Sequence, residues 1–543
     1  MNILNVFSFQ QGVMAEEKIP NGQVLGTVEP DSEAASISNE ALASALLKER
    51  PDTFSWAALQ LYSVCLIGFF SCTMNGYNGS LINNLLANES FLAYYQGSNS
   101  GVWSALVTSM YQFGILAAFP FAGPAVDTWG RRPGLLMGCA CIIVGTVVQG
   151  TSTHIHAFMG GSFLLGFGIS ISSTAGPTYI VEISHPARRG IVTAIYHTFW
   201  FTGSIAASAA ARGTASLAGN ASWRIIIWLQ LLVSGLITLF VMVLPESPRW
   251  LYVNNQKTKA KQMLVKYHGN GNENSEWVHL QLSEYDGYLQ MNGADKRWWD
   301  YRALFRDKSS VYRLYCNCII SIFSQWMGNA VLGYFMSAVL QLVGYTGVIQ
   351  QLNLILINNA QEFGWAILGS LFVDKLGRRP LLLFANIGCS LAWAGMTITT
   401  YQTASSGGAT NTGAAQGALA MVFIFSAIYC FGMTPLQSLY PVEVLSFEMR
   451  AKGMALSNFV IGGAGLLNQF AWPIALDHIG WATYMIFSIW CAIQAVVIYF
   501  TIVETKNRTL EELDDIFNSP NPVKASMRKR RVATDQVMLG GTA

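Results

Sequence analysis

Apolar residues come along this chain in long blocks parted by short polar segments. Crossing the hydrocarbon core of a bilayer takes about 20 mostly apolar residues, and twelve blocks are of that order. The first six cover 57–81, 104–123, 134–151, 157–180, 191–211 and 225–244; the second six cover 313–340, 350–372, 380–400, 416–438, 453–474 and 482–503. A polar stretch separates the two sets, and its piece "KTKAKQMLVKYH" is amphipathic, as expected of a helix lying along a membrane surface. The pattern predicts an all-α integral membrane protein of twelve transmembrane helices in two six-helix halves, 55–244 and 313–504. Around them stand a polar tail, 1–54, a linker with short interfacial helices, 245–312, and a second tail, 505–543.

Lys and Arg orient the array. The segments "DTWGRRP", "HPARRG", "DKLGRRP" and "SFEMRAKG" are basic, whereas the opposite connectors 82–103, 152–156, 341–349, 401–415 and 475–481 contain neither residue. Arg212 and Arg224, at the ends of the connector between runs 5 and 6, are the exceptions. The positive-inside bias places both termini in the cytosol of a multi-pass protein. Asn88 and Asn220, each opening an N-x-Ser/Thr triplet, then fall outside as candidate glycosylation sites. No apolar stretch precedes Trp56, so no cleaved signal peptide is expected, and the first 54 residues read as a disordered tail.

Composition agrees with a lipid solvent: 52% of the residues are hydrophobic and 11% charged, against about 25% charged in soluble chains. A net charge of +2 favours no nucleic-acid partner. The nine cysteines are scattered through the apolar runs, with no ligand spacing, so no metal, cofactor or disulfide framework is expected. No phosphate-binding glycine loop, and no nucleophile with a base at readable spacing, supports an enzyme.

The chain also repeats itself. Asp127 with "GRRP", Glu182 with Arg189, and Glu246 in "PESPRW" return in the same order as Asp374 with "GRRP", Glu443 with Arg450, and Glu504 in "VETKNR". Two halves of parallel topology, with a working site at their interface near the bilayer midplane, follow from such a repeat.

Together with "KYHGNGNENS", "DKRWWDYRALF", "FSQWMGN", "TPLQ", "NQF" and "SPNPVKAS", these stretches resemble the sugar-porter family of the major facilitator superfamily, and most of all its fungal lactose permease and cellodextrin transporter group. The resemblance covers roughly residues 55–525 and implies the major facilitator fold and a monomeric alternating-access carrier for a small sugar in a fungal plasma membrane.

It also implies roles. Asp127, Arg131, Arg132, Glu182 and Arg189, with Asp374, Arg378, Arg379, Glu443 and Arg450, match the family's cytosolic gate clusters, which are expected to pair across the halves when the inner side is shut. Glu246, Arg249 and Glu504 are expected to latch the same face. The plainer alternative is that the arginines anchor helix ends and set topology. Neutral sugars are recognised by amides, hydroxyls and aromatic faces. Gln325 and Asn329, flanked by Trp326 and Tyr334, match the family's sugar-binding positions, as do Gln437, Asn468, Gln469 and Trp472. His197 stands where this group usually has an amide. For any single one of these, interhelical hydrogen bonding competes with solute binding.

Two positions depart from the family. Its proton-coupled members resemble one another in an Asp on the first helix and an Arg on the fourth; here those positions read Asn78 and Ser162. An amide cannot cycle a proton, and joint loss avoids stranding a charge. Against this stands Glu362, a carboxylate in the middle of run 8 and by its depth a candidate coupling site, or a Glu buried among Asn358, Asn359 and Gln361. Three readings follow: a uniporter for a neutral sugar, a disaccharide such as lactose or cellobiose or a β-glucoside; a proton-linked carrier or small-metabolite exporter using Glu362; and a non-transporting sugar sensor that regulates gene expression.

Overall fold

The structure is a computed structural model that describes residues 48–49, 54–97, 101–217, 219–292, 302–344, 347–405, 412–446, 449–506, 508 and 510–527. Most of the first tail and residues 528–543 therefore lie outside the described residues, as do the side chains of Tyr334 and Arg450. Twelve traverses are present: α1 (Trp56–Leu86), α2 (Gly101–Trp129), α3 (Arg131–Thr151), α4 (Ile155–Ile183), α5 (Arg189–Thr214), α6 (Ala221–Trp228 and Gln230–Val241), α7 (Lys308–Trp326 and Asn329–Val343), α8 (Val348–Leu376), α9 (Arg378–Ser405), α10 (Thr412–Gly432 and Leu436–Val444), α11 (Arg450–Ile479) and α12 (Ala482–Thr501). Among the described residues there is no strand.

Eight of these helices are long and apolar enough to cross a membrane: α1 to α4, α6, α9, α10 and α12. The four that fall short, α5, α7, α8 and α11, turn polar residues into the bundle, toward one another and toward α1, α4 and α10. A polar group in a membrane helix must face the bundle or a wet cavity, so the loss of hydropathy marks the centre of the molecule. Breaks have local causes. Gly328, at φ +101°, ends the first segment of α7, and Gly130 and Gly377, at φ +107° and +93°, make the matched turns between α2 and α3 and between α8 and α9.

Within the first half the helices approach through small residues. A methyl group on Gly76 would stand 1.8 Å from the Trp200 carbonyl oxygen, and one on Gly203 would stand 1.9 Å from that of Thr73, so α1 and α5 touch backbone to backbone. Between the halves, α2 packs along α11 and α5 along α8. The linker forms the helices Pro248–Val253, Lys257–Tyr267 and Glu276–Asn292. The piece "KTKAKQMLVKYH" forms the second of these helices. Its apolar positions Ala260, Met263 and Leu264 are buried in one cluster with Leu61 and Val64 of α1 and Tyr252 and Val278 of the linker.

Candidate functional site

Eight helices, α1, α2, α4, α5, α7, α8, α10 and α11, surround a cavity of about 280 Å³ between the halves. That is close to the lower end of small-molecule sites, roughly 300 Å³. Amides, hydroxyls and aromatic rings make most of its polar wall, including Asn75, Asn83, Gln112, His197, Trp200, Ser204, Gln325, Asn329, Asn358, Asn359, Tyr429, Gln437 and Asn458. Glu362 is the one carboxylate among the described lining residues. Its Oε1 accepts from Asn358 Nδ2 at 2.8 Å, and Asn358 Oδ1 accepts in turn from Gln361 Nε2 at 3.1 Å.

The floor of the cavity, toward the face that carries the basic loops, is tied across the halves. His197 Nε2 on α5 lies 2.6 Å from Gln437 Oε1 on α10, Gln437 Nε2 donates to the Tyr429 hydroxyl at 2.6 Å, and Tyr429 donates to the Ser324 carbonyl at 2.9 Å. The donors fix one direction along this chain. Tyr429 must give its proton to a carbonyl, Gln437 therefore gives N–H to Tyr429, and the amide oxygen left over needs N–H from His197. Farther toward the basic face, Val181 of the first half packs with Val442, Leu445 and Met454 of the second. Near the opposite end, Asn359 Nδ2 meets Ser208 Oγ at 2.9 Å and Arg212 Nε meets Asn353 Oδ1 at 2.8 Å. Arg224, the other exception to the charge pattern, stacks on Tyr94 and Trp223.

The sequence-derived candidates divide. His197, Gln325, Asn329, Gln437 and Glu362 line the cavity. Trp326, Asn468, Gln469 and Trp472 are not among the lining residues. Asn468 donates to the Gln325 carbonyl at 2.9 Å and accepts from Trp472 Nε1 at 2.8 Å, while Trp326 Nε1 donates to the Ala464 carbonyl. These groups join α7 to α11 behind the wall. Asn78 and Ser162 are both buried but not bonded to each other. Ser162 Oγ accepts from Gln149 Nε2 at 2.8 Å, and neither polar atom of the Asn78 side chain has a partner among the described residues. Asn75, Gln112 and the serines of α4 and α5 were not singled out from the sequence. Their signal is a helical stripe of small or polar residues within an apolar run, as in Cys72, Asn75, Gly79 and Asn83. Of the two glycosylation candidates, Asn220 is exposed, whereas Asn88 is half-buried and its Oδ1 accepts from Phe91 N–H at 3.2 Å, capping a short helix.

The charged clusters follow a matched plan inside each half. Arg131 bonds Glu182 at 2.9 Å and stands 3.7 Å from Asp127; Arg378 bonds Glu443 at 2.5 Å and Asp374 at 3.0 Å. Ser247 Oγ and Thr505 Oγ1 donate to the second oxygens of Glu182 and Glu443. Glu246 accepts from the backbone N–H groups of Arg131 and Arg132, and Glu504 from those of Arg378 and Arg379, so each caps a helix N-terminus. Burial pushes the Glu246 carboxyl up, against the pull of the N–H groups of Ser247, Arg132 and Arg131. Arg132 closes the end of α6 through the Val241 and Met242 carbonyls, and Arg379 reaches the Tyr499 carbonyl near the end of α12. Arg249 lies over the Tyr285 ring. The ion pairs just named, among the described residues, run within each half. Glu182 takes Arg131 as its partner instead of Arg189, seven positions away in sequence. One approach across the halves among the described residues is that of the Asp374 carboxylate to Gly190 at the start of α5, where an added methyl group would stand 3.6 Å from Oδ2.

Comparison with known proteins agrees with this architecture. A profile of the family described as "Sugar (and other) transporter" matches residues 64–517. The chain is 26% identical over 485 residues to a high-affinity glucose transporter of Kluyveromyces lactis, covering 84% of this chain and 85% of that one. It is 25% identical over 510 residues to a probable quinate permease of Aspergillus clavatus, covering 88% and 91%. Its fold is similar to that of the proton:xylose symporter XylE bound to 6-bromo-6-deoxy-D-glucose, with a TM-score of 0.72 at 19% identity over 85% of this chain and 100% of that one. The inward open form of XylE from E. coli is similar at a TM-score of 0.65. With most of its length matched by the profile, and with this fold, the chain belongs to the sugar-porter family of the major facilitator superfamily: it is a multi-pass membrane transporter and not an enzyme.

Proposed function

We propose that the chain moves a neutral sugar down its gradient by alternating access, the two halves rocking about the central cavity. The observation that carries this reading is the uncharged state of the buried Asn78 and Ser162, which leaves no ionisable couple between α1 and α4. A wall of amides, hydroxyls and rings suits a polyol, and the stretches shared with fungal lactose and cellodextrin carriers favour a disaccharide or β-glucoside. The same reading puts the basic face in the cytosol, the protein in the plasma membrane as a monomer, and Asn220 on the outer side as the better placed glycan acceptor.

A second reading rests on a specific observation: Glu362 lines the cavity, at a depth where a carboxylate marks a proton or substrate path. The two are separated by uptake of labelled D-glucose, cellobiose and lactose into vesicles holding the purified protein, with and without an imposed pH gradient. Uniport gives equilibration at the same final level in both. Accumulation above equilibrium that Glu362→Gln abolishes, with exchange intact, overturns uniport in favour of proton linkage. Binding of a sugar without flux favours the sensor.

A further inference from the structure

Gln112, in the middle of α2, is 4% exposed, yet its side chain borders the cavity. Its Oε1 is buried with no hydrogen-bond partner among the described residues, and exchanging the amide oxygen and nitrogen would leave an N–H₂ group in the same position. A buried amide end without a partner is costly, so native proteins supply one. Asn329 Oδ1, on α7 of the other half, is a buried acceptor in the same state on the same cavity. The opposing wall is shaped for Gln112. Gly465 of α11 lies against the flat of its amide, and a methyl group there would stand 2.9 Å from Gln112 Cδ and Nε2. Within the membrane helix α11 this glycine leaves space for a polar head projecting from the other half.

We propose that Gln112 is a specificity-determining ligand of the cargo, contributed by α2, that reads one sugar hydroxyl at the seam between α2 and α11. An amide presents a donor and an acceptor side by side, which matches a hydroxyl that gives and takes one hydrogen bond. Held there, the cargo replaces a missing internal partner, and Gly465 keeps the amide in place. This inference rests on the reading of the cavity as the sugar site.

The test is equilibrium binding of D-glucose and of its 2-, 3-, 4- and 6-deoxy analogues to the purified full-length protein. Gln112→Leu is expected to weaken D-glucose about three- to tenfold, the worth of one neutral hydrogen bond. One deoxy analogue should bind wild type more weakly by a similar factor and lose nothing further in Gln112→Leu, because both changes remove the same bond. Gly465→Ala, which displaces the flexible end of Gln112 without touching the cargo, should reproduce that one-analogue signature. Unchanged D-glucose affinity in Gln112→Leu, or an equal loss for every analogue, overturns the inference while the cavity reading stands. Absence of binding to wild type by D-glucose, cellobiose and lactose alike sinks the cavity reading, and this inference with it.

Discussion

The matched clusters on the basic face are unequal, and the inequality is measurable. Glu182→Ala removes the principal partner of Arg131, whose side chain is 8% exposed. Stranding one member of a buried pair costs about 3–5 kcal/mol. What remains is Asp127, 3.7 Å away and 38% exposed. Glu443→Ala leaves Arg378 with Asp374 at 3.0 Å. At the effective dielectric near 20 that describes such sites, the shorter distance is worth about 1 kcal/mol of additional attraction. Glu443 is also 22% exposed against 2% for Glu182, so water reaches the vacated place more readily in the second half. The expected order is a loss of about 3–5 kcal/mol for Glu182→Ala and at least about 1 kcal/mol less for Glu443→Ala. Denaturant titration of the detergent-solubilised protein, with helicity as the readout, measures both. The double variant Arg131→Leu/Glu182→Leu, which strands no charge in the buried pair and leaves only the 38% exposed Asp127 without its partner, should recover most of the loss. Equal losses in the two halves, or an additive double variant, would refute the argument that the residual carboxylate sets the cost.

Two more outcomes follow from the packing. Burial lowers His268 from 6.5 to about 4 and His185 to about 2; neutral His268 gives its Nε2–H to the Ile183 carbonyl and, with the Gln281 amide turned, accepts that side chain's N–H at Nδ1. The unfolded chain therefore takes these protons first. The histidines' contribution is complete above pH ~6.5 and shrinks as the pH falls, by up to about 1.4 kcal/mol per unit for each group; His268→Gln should flatten the fall in thermal midpoint between pH 6.5 and 4. Gly203→Val should part α1 from α5, since even one methyl group would stand 1.9 Å from the Thr73 carbonyl oxygen; loss of monodisperse protein by size-exclusion chromatography checks it, with exposed Gly213, where nothing lies near an added methyl group, giving a silent Gly213→Ala control.

The apolar blocks were legible because a span must be long and greasy whatever it packs against, and the repeat was legible because both halves solve the same helix-end problem with the same residues. Partner choice was not. Glu182 and Arg189 stand seven apart, but α4 ends between them, and the guanidinium that reaches Glu182 comes from the start of α3. Nor did spacing reveal that Asn468 and Trp472, one helical turn apart, satisfy each other and so leave the cavity wall.

Direction within a helix is the harder problem, and "NGYNGS" shows why. Asn75 and Asn78 differ by three residues, about 60° around the axis at 3.6 residues per turn. That angle separates a cavity-lining amide, bonded to Ser173 at 2.9 Å, from one sealed in the bundle without a partner among the described residues. No pattern inside α1 sets which of two adjacent stripes faces the cavity; the position of α4 and α5 sets it. Gln112 carries the same lesson across the two halves. Nothing around it in α2 distinguishes it from helix glue, and the space that gives it a role is left by Gly465 in the other half of the chain. Binding sites at such a seam are properties of pairs of runs, so a single run read by itself yields the candidate amides without the cavity that selects among them.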